Sequence, residues 1–241
     1  MIAIQEFGNK IKAGEKPVEG NFVTFLKILT KYPEGLAWEQ FWLDSREEQR
    51  KRIYKQIKGI NENIQVGWHI CHGMTWDLIT RATWDYSKMG SYSDWLSVAV
   101  YFDSMGRRSM NHFDKNYKDI LFGDADSEYS YPMYLSMLGY DPKKQPPLKQ
   151  HRKHDTSFSS DYVYQECKRA VKAVNGGANV YARPGFDMPD YDCNVTPQQV
   201  RDAVKKALDA GVDGLWCGRE WDELEPENAK AFGQAVREYS K

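Results

Sequence analysis

The chain has 241 residues, of which 41% are hydrophobic and 28% are charged, and its net charge is −1. These proportions are those of a globular protein and exclude wholesale disorder, and a nearly neutral chain without a long basic run argues against a nucleic-acid or anionic-membrane partner. No stretch approaches the roughly 18 consecutive apolar residues of a membrane span, so no membrane partner is expected.

The first sixty residues are predicted to be mainly helical. Residues 1–14 are weakly helical, and the apolar residues of 18–32 recur at helical spacing until Pro33. Residues 36–43 are compatible with either a short helix or a buried strand, because eight residues are too few for periodicity to decide. An S-x-x-E capping box predicts that a further helix begins at 45 and ends at 59.

Strands and helices alternate from about residue 60 onward. Apolar runs predict strands at 64–70, 95–102, 179–185 and 212–217. Helical periodicity and capping signals predict helices at 76–89, 109–122, 126–138, 161–175, 196–210 and 226–239. Pro132 is expected to kink or end the third of these helices. The proline-rich and charged segment 141–160 predicts a long loop within a single domain that spans residues 1–241.

The alternation of strands and helices predicts the fold class. Strands separated by helices imply parallel pairing with right-handed crossovers. We therefore predict an α/β fold of about four to five parallel strands with flanking helices, the fifth strand being 36–43. A complete (β/α)8 TIM barrel needs eight strands. The chain is therefore either an open sheet or the C-terminal half of such a barrel, and we favour the half-barrel.

Three local patterns carry a resemblance to a known kind of protein. They are Trp38-x-x-Phe-Trp-x-Asp-Ser45, Asp94-Trp-Leu-Ser-Val-Ala-Val-Tyr101 and Ala210-Gly-Val-Asp-Gly-Leu-Trp-Cys-Gly-Arg-Glu220. They resemble glycoside-hydrolase-like (β/α)8-barrel proteins of the secreted bacterial type. The resemblance implies that the four strands are strands five through eight of a partial TIM barrel. It also implies a glycoside hydrolase that acts on O-glycosyl bonds of a carbohydrate substrate, if this part of the barrel is active.

Polar residues that follow the strands are the candidate functional residues, because the carboxyl ends of parallel barrel strands meet at one face. Glycoside hydrolysis needs two carboxyl groups, a proton donor and a nucleophile or base. The candidate catalytic carboxylates are Asp103, Asp187 and Glu220. The residues expected to bind substrate are His69, His72, Trp76, Tyr101, Arg107, Arg183 and Arg219.

Each candidate carboxylate also has a purely structural interpretation. Asp187 is preferred because Gly185 permits a close backbone approach and Pro189 stiffens the loop, but an aspartate near prolines is equally well explained as a loop cap. Glu220 is also explained as an ion-pair partner of Arg219 or of a neighbouring arginine, and Asp103 as the cap of a turn.

The sequence predicts neither a metal nor a cofactor. His69 and His72 have the spacing of a metal-binding pair, but the sequence indicates no third ligand. The cysteines form no C-x-x-C pair and are predicted to be free thiols. They are Cys71, Cys167, Cys193 and Cys217.

Two functions remain open. Eight Trp and fifteen Tyr are a large number for this length, and they are explained equally by core packing and by a sugar-binding cleft. The leading hypothesis is a domain that binds or hydrolyses an oligo- or polysaccharide. The alternative is a non-catalytic carbohydrate-binding or self-associating scaffold, whose partner is a second copy or the missing N-terminal half-barrel. The N-terminus has no signal-peptide pattern, so an extracellular or periplasmic location requires that the full-length gene carry one.

Overall fold

The amino-terminal quarter of the chain is helical. The computed structural model describes residues 2–123, 125–153, 156–188 and 195–240. It begins with helices α1 (Ile2–Lys12), α2 (Asn21–Lys31) and α3 (Glu34–Ile60). The helices predicted within 1–14 and 18–32 are therefore confirmed.

The long helix α3 corrects two predictions. The segment 36–43 is helical, so it is not a fifth strand. Ser45 does not begin a helix, because it lies inside α3 together with Glu48, whose side chain pairs with Arg52 one turn later. The helix begins after Pro33, whose φ of −65° suits a helical first turn, where no intrahelical N–H bond is lost.

Strands alternate with helices after α3. The strands are β1 (Gly67–Ile70), β2 (Trp95–Val100), β3 (Asn179–Pro184) and β4 (Gly214–Leu215). The α-helices are α4 (Leu78–Thr83), α5 (Tyr86–Met89), α6 (Phe102–His112), α7 (Ser127–Met137), α8 (Leu148–His151), α9 (Ser160–Val174), α10 (Pro197–Asp209) and α11 (Pro226–Tyr239). Short 3-10 turns occupy His72–Thr75, Pro142–Lys144 and Trp221–Glu223, and a wider π-helical stretch occupies Phe113–Phe122.

The helix predicted over 76–89 is divided into separate pieces. Asp77 accepts the backbone N–H of Thr80 and begins α4, and Asp85 accepts the backbone N–H of Ser87 and begins α5. A side-chain cap satisfies N–H groups at a helix start, so two caps in this segment favour two short helices over one long helix.

Two other segments differ from the prediction in detail. Helix α7 continues through Pro132 to Met137 rather than ending at the proline. The segment 141–160, apart from residues 154 and 155, contains two short helical turns as well as irregular chain. Its Leu148 and Phe158 are buried, so the segment contributes side chains to the core.

The four strands form one parallel sheet in the order β1-β2-β3-β4. Leu96 of β2 lies between Trp68 of β1 and Val180 of β3, and Ala182 of β3 pairs with Leu215 of β4. The predicted α/β class, with a parallel sheet and flanking helices, is confirmed. The strand predicted at 212–217 is shorter than expected, since only two of its residues pair.

The same aspartate contact aligns two pairs of strands. Asp94, directly before β2, donates its backbone N–H to the carbonyl of Val66 at 2.7 Å and accepts the N–H of Val66 with Oδ2 at 2.7 Å. Asp213, directly before β4, makes the same two bonds to Val180, at 2.8 and 2.7 Å. Because a slip of one residue would turn every side chain to the wrong face, these paired bonds fix which face each strand residue occupies.

The helices pack together on one face of the sheet. Helix α9 contacts β2 and β3, α10 contacts β3 and β4, and α5, α9, α10 and α11 contact one another in that order. The strand side chains beneath these helices are buried and apolar. They are Leu96, Val98, Val100, Val180 and Ala182. Because side chains alternate along a strand, the intervening residues lie on the opposite face.

Candidate functional site

Four aromatic side chains lie on the sheet face opposite the helices, and we call them the aromatic face: His69, Trp95, Tyr181 and Trp216. The ring of Trp216 lies 4.9 Å from Trp95, 5.3 Å from His69 and 5.9 Å from Tyr181, measured between ring centroids. The three larger side chains are half-buried and His69 is exposed. The rings therefore form one continuous surface that solvent still reaches.

Two glycines make room for these rings. Gly67 pairs with Trp95, and a Cβ at Gly67 would lie 2.0 Å from the Trp95 ring. Gly214 pairs with Tyr181, and a Cβ there would lie 2.8 Å from the Tyr181 ring. Each ring thus lies over the glycine of the neighbouring strand, and any side chain at that glycine position would displace the ring.

A second group lies at the carboxyl ends of the strands, and we call it the strand-end cluster: His72, Trp76, Tyr101, Arg108 and Arg183. The His72 ring lies 4.9 Å from Tyr101 and 4.6 Å from Trp76. The Arg183 guanidinium carbon lies 5.3 Å from the Tyr101 ring centroid. Four predicted binding residues are therefore brought together, as expected for residues that follow neighbouring parallel strands.

Tyr101 occupies the centre of the strand-end cluster because Gly185 allows it. A Cβ at Gly185 would lie 2.6 Å from the Tyr101 ring, so the turn after β3 can approach β2 only with glycine at this position. The sequence identified Gly185 as a point of close backbone approach, and the group that approaches it is this ring.

His72 is held as a neutral imidazole of defined tautomer. Its Nδ1 lies 2.9 Å from the Arg108 guanidinium, which can only donate, so Nδ1 accepts and the proton is on Nε2. Nε2 donates to the Tyr162 hydroxyl at 2.7 Å. Burial lowers the pKa of His72 well below its usual value, and the positive charges of Arg108 and Arg183 lower it further.

Arg108 is the member of this cluster that the sequence analysis missed. Its guanidinium lies 5.8 Å from the Trp76 ring and 5.9 Å from the Tyr101 ring, in addition to its bond with His72. Arg107, the predicted residue, precedes it on α6, and one helical step of about 100° separates the two directions. The strand-end pattern predicted Arg107 and did not include Arg108.

Asp103 is buried and holds backbone rather than facing solvent. Its Oδ1 accepts the N–H of Ser104 at 2.7 Å, and its Oδ2 accepts the N–H of Met188 at 3.1 Å. Burial raises the pKa of Asp103. Its carboxylate links the start of α6 to the loop after β3. Asp103 does not cap this helix, because the N-cap of α6 is Tyr101 and no side chain caps it.

Asp187, the preferred catalytic carboxylate, also has structural partners. Its Oδ1 accepts the Asn228 side chain at 2.7 Å, and its Oδ2 accepts the N–H of Glu225 at 3.1 Å. Its φ is +62°, a left-handed conformation that aspartate tolerates better than most residues. Burial raises its pKa. These bonds tie the loop after β3 to the start of α11, and Pro189, expected to stiffen this loop, lies outside the described residues.

Glu220 and Arg219 do not pair with each other. Arg219 forms an ion pair with Glu223, one turn later, while Glu220 is exposed at the start of the Trp221–Glu223 turn. The predicted pairing of Glu220 with the adjacent arginine is therefore wrong. Neighbouring residues in an extended segment point apart, whereas residues four apart in a helical turn share one side.

His69 is placed differently from the expectation. It lies within β1 on the aromatic face, whereas His72 lies in the turn after β1. The missed members Trp95, Tyr181 and Trp216 share a signal with His69. Trp95 and Tyr181 alternate with the buried apolar residues of their strands, and Trp216 continues this alternation one residue beyond β4. A period of two places such residues on the opposite face of a sheet.

No family model, curated protein or solved structure matches this chain. Within residues 2–123, 125–153, 156–188 and 195–240, no three His, Cys, Asp or Glu side chains are grouped as metal ligands would be, and no helix is long and apolar enough to cross a membrane. Cys71, Cys167 and Cys217 are free thiols, and Cys193 lies outside the described residues.

Proposed function

We propose that this chain is the C-terminal half of a glycoside-hydrolase-like (β/α)8 barrel and that it binds an oligo- or polysaccharide. The observation that carries this proposal is the aromatic face, which continues into the strand-end cluster at the carboxyl ends of the strands. Aromatic rings pack against the apolar C–H faces of sugars, and arginine and tyrosine donate hydrogen bonds to sugar oxygens. Residues of both kinds are present on one solvent-reached surface.

The sheet topology supports the half-barrel part of the proposal. Barrel strands follow one another in sequence order with helices on their outer face. The strands β1 to β4 lie in sequence order, and α9 and α10 pack against the face opposite the aromatic face. In a flat sheet β1 and β4 would lie about 14 Å apart. The rings of His69 on β1 and Trp216 after β4 nevertheless lie 5.3 Å apart. Such a contact is favoured by a sheet that curves toward the aromatic face, as a barrel wall does.

Binding is better supported than hydrolysis by these residues alone. Hydrolysis requires two carboxyl groups on either side of the scissile bond. Asp103 and Asp187 each accept two hydrogen bonds from the protein, and Glu220 is exposed on the turn after β4. In this proposal a hydrolytic site would use a carboxylate from the other half of the barrel.

Calorimetry against a panel of neutral and acidic oligosaccharides tests glycan binding. We expect Trp216→Ala to raise the Kd for a bound glycan at least tenfold, since burying a large apolar side chain contributes about 1.5–3 kcal/mol. Trp221→Ala is the matched control, because Trp221 is 80% exposed and outside the aromatic face. Circular dichroism verifies that both variants fold. Absence of binding to every glycan, or equal losses in the two variants, would contradict the proposal.

A second candidate function, a self-associating scaffold, is favoured by the surface of α3. No side chain of this helix is buried, although it has 27 residues. Its first three turns expose large apolar side chains: Leu36, Trp38, Phe41 and Trp42. The outer edges of β1 and β4 have no strand partner within the described part of the chain. Contiguous exposed apolar groups and open strand edges both favour association.

Sedimentation equilibrium of the full chain tests this second function. A self-associating chain will sediment as a dimer or larger species, and Trp38→Glu will convert it to a monomer because a buried charge at the contact costs several kcal/mol. Tyr129→Glu on α7 is the control, since Tyr129 is similarly exposed on another helix. A wild-type monomer at high concentration, or dissociation by the control substitution, contradicts the scaffold.

A further inference from the structure

We propose that a second copy of this chain completes the barrel, with the outer edge of β4 in each copy paired to the outer edge of β1 in the other. A two-fold axis along the barrel relates the copies, so four strands from each make the eight that a closed barrel needs. This inference rests on the half-barrel part of the proposed function and identifies the partner of that half. The contact surface is the open sheet rather than the exposed side of α3.

Both outer edges of the sheet are open to such a partner. Among the described elements, β1 makes extensive contact only with β2, and β4 only with β3 and α10. The chain stays beside β3 for longer than β4 itself, since the backbone N–H groups of Asp213, Trp216 and Gly218 all donate to carbonyls of β3. Neither edge strand contains the lysine or proline with which natural proteins block edge pairing. Each edge can therefore accept a parallel strand.

The direction and curvature of the sheet suit closure by a copy. All four strands are parallel, so a two-fold rotation about an axis along the strands leaves β1 of the copy parallel to β4. The sheet curves toward the aromatic face, since the rings of His69 on β1 and Trp216 after β4 lie 5.3 Å apart. A flat sheet that paired through the same two edges would grow into a filament, whereas a curved one closes.

The aromatic face has the properties of one half of a barrel core. Large and small side chains alternate across the sheet at one register, which runs through His69, Ser97, Tyr181 and Gly214. Barrel interiors are filled by side chains that alternate strands contribute. The side chains of Trp95 and Tyr181 are nevertheless only half-buried. This is the exposure expected of core residues that the opposite wall of the barrel does not yet cover.

Two copies can meet at this face without repulsion. Tryptophan and tyrosine are uncharged at neutral pH, and burial, together with the charge of Arg183, lowers the pKa of His69, so that this ring is neutral as well. Arg183 lies near the carboxyl end of β3, and Trp216 lies beyond the last paired residue of β4. Both therefore stay at the mouth of the closed barrel, where a glycan reaches the strand-end clusters of the two copies together.

Two native thiols mark the proposed junction between the copies. Cys71 directly follows β1, Cys217 follows β4 by two residues, and solvent reaches both. Neighbouring strands lie about 4.8 Å apart, so Cys217 of one copy comes close to Cys71 of the other at each junction. Within one chain the two thiols follow the opposite edge strands of the sheet. A link between two chains through these unlike cysteines is therefore specific to this closure.

The first test is cross-linking of the full chain with a short bismaleimide, after Cys193→Ser has removed the cysteine that lies outside the described residues. We expect a covalent dimer on denaturing gels, with Cys71 joined to Cys217 when the linked peptides are identified by mass. Cys71→Ser and Cys217→Ser should each abolish the dimer band.

Sedimentation equilibrium of the reduced chain tests the same surface without a cross-linker. The wild type should be a dimer without larger species. His69→Glu directs a charge into the barrel interior from an edge strand and should raise the dimer Kd at least tenfold. Trp38→Glu on α3 is the matched control and should leave the dimer intact, whereas association through α3 predicts the reverse. Circular dichroism verifies folding, and if His69→Glu does not fold, the cross-linking pattern of the native thiols decides.

The outcomes separate this inference from the proposed function. A wild-type monomer at high concentration, an open series of larger species, or a link through two identical cysteines overturns closure by a second copy. A dimer that dissociates in Trp38→Glu but not in His69→Glu overturns it as well. In each case the proposed function stands, with an N-terminal half-barrel as the partner. Absence of glycan binding to the cross-linked dimer contradicts the proposed function and leaves this inference intact.

Discussion

Replacing Arg81 with methionine should lower the free energy of unfolding by about 3–5 kcal/mol. The Glu166 carboxylate is 0% exposed, and Arg81 Nη2 lies 2.6 Å from its Oε1. Without Arg81 the nearest positive charge is Arg169, at 3.6 Å, on the same helix as Glu166. Arg81 also donates to the carbonyls of Met74 and Thr75 in the turn after β1, so the substitution loosens the turn that carries His72. Urea unfolding monitored by tryptophan fluorescence measures the loss.

Two further variants isolate the buried charge. Arg81→Met combined with Glu166→Gln should regain a large part of the stability, because it removes the buried carboxylate that Arg81→Met leaves with only Arg169 and the Tyr140 hydroxyl as partners. Arg52→Met removes a similar ion pair on α3 whose two side chains are exposed, and it should cost no more than about 1 kcal/mol. A loss in Arg81→Met no larger than in Arg52→Met would show that the buried pair contributes nothing beyond an exposed one.

Acid should destabilise the fold through His72 by about 1.4 kcal/mol per pH unit below its unfolded-state pKa of about 6.5. Burial keeps the pKa of His72 well below that value in the folded protein, with Arg108 and Arg183 facing it as additional positive charges. The unfolded chain therefore binds a proton that the folded chain does not. The stability is complete above pH 6.5 and falls with decreasing pH until the folded-state pKa is reached. Urea midpoints at pH 7.5, 6.5, 5.5 and 5.0 follow this loss.

The variant His72→Gln separates this histidine from the other titrating groups. Glutamine cannot take up the proton, so its stability should depend less on pH by about 1.4 kcal/mol per unit within the same window. His69 remains in both proteins, and its pKa is also lowered by burial, so its contribution cancels in the comparison. Identical pH slopes in the two proteins would mean that His72 is protonated in the folded state.

Much of the sheet was predictable from local sequence. The continuous apolar run of β2 predicted a strand, and the T-P-x-Q pattern at Thr196 predicted the start of α10, where the structure contains a complete capping box. Both signals depend on residues a few positions apart. The alternative strand at 36–43 could not be resolved in this way, because its helical state depends on continuity with the rest of α3.

The candidate site was predictable only in outline. Strand ends correctly indicated that His72, Trp76, Tyr101 and Arg183 lie together, since parallel strands bring their carboxyl ends to one edge. The choice of Asp187 as the first carboxylate depended on its loop context alone. Its actual partner Asn228 lies 41 residues away on α11, and no local pattern identifies such a contact.

The sequence by itself determined the class of the fold: the four strands, most of the helices between them, and the parallel direction of the strands. These properties follow from periodicity and capping, which act over one or two turns of chain. Only the tertiary structure decided which side chains share a face and which charges are already satisfied. The His72 to Tyr162 bond spans 90 positions, and the Arg219 to Glu223 ion pair has no counterpart at Arg183 among the described residues. Such differences arise when distant segments pack. Because a buried polar group without a partner costs free energy, the packing determines which groups have partners within the protein and which remain available to a ligand.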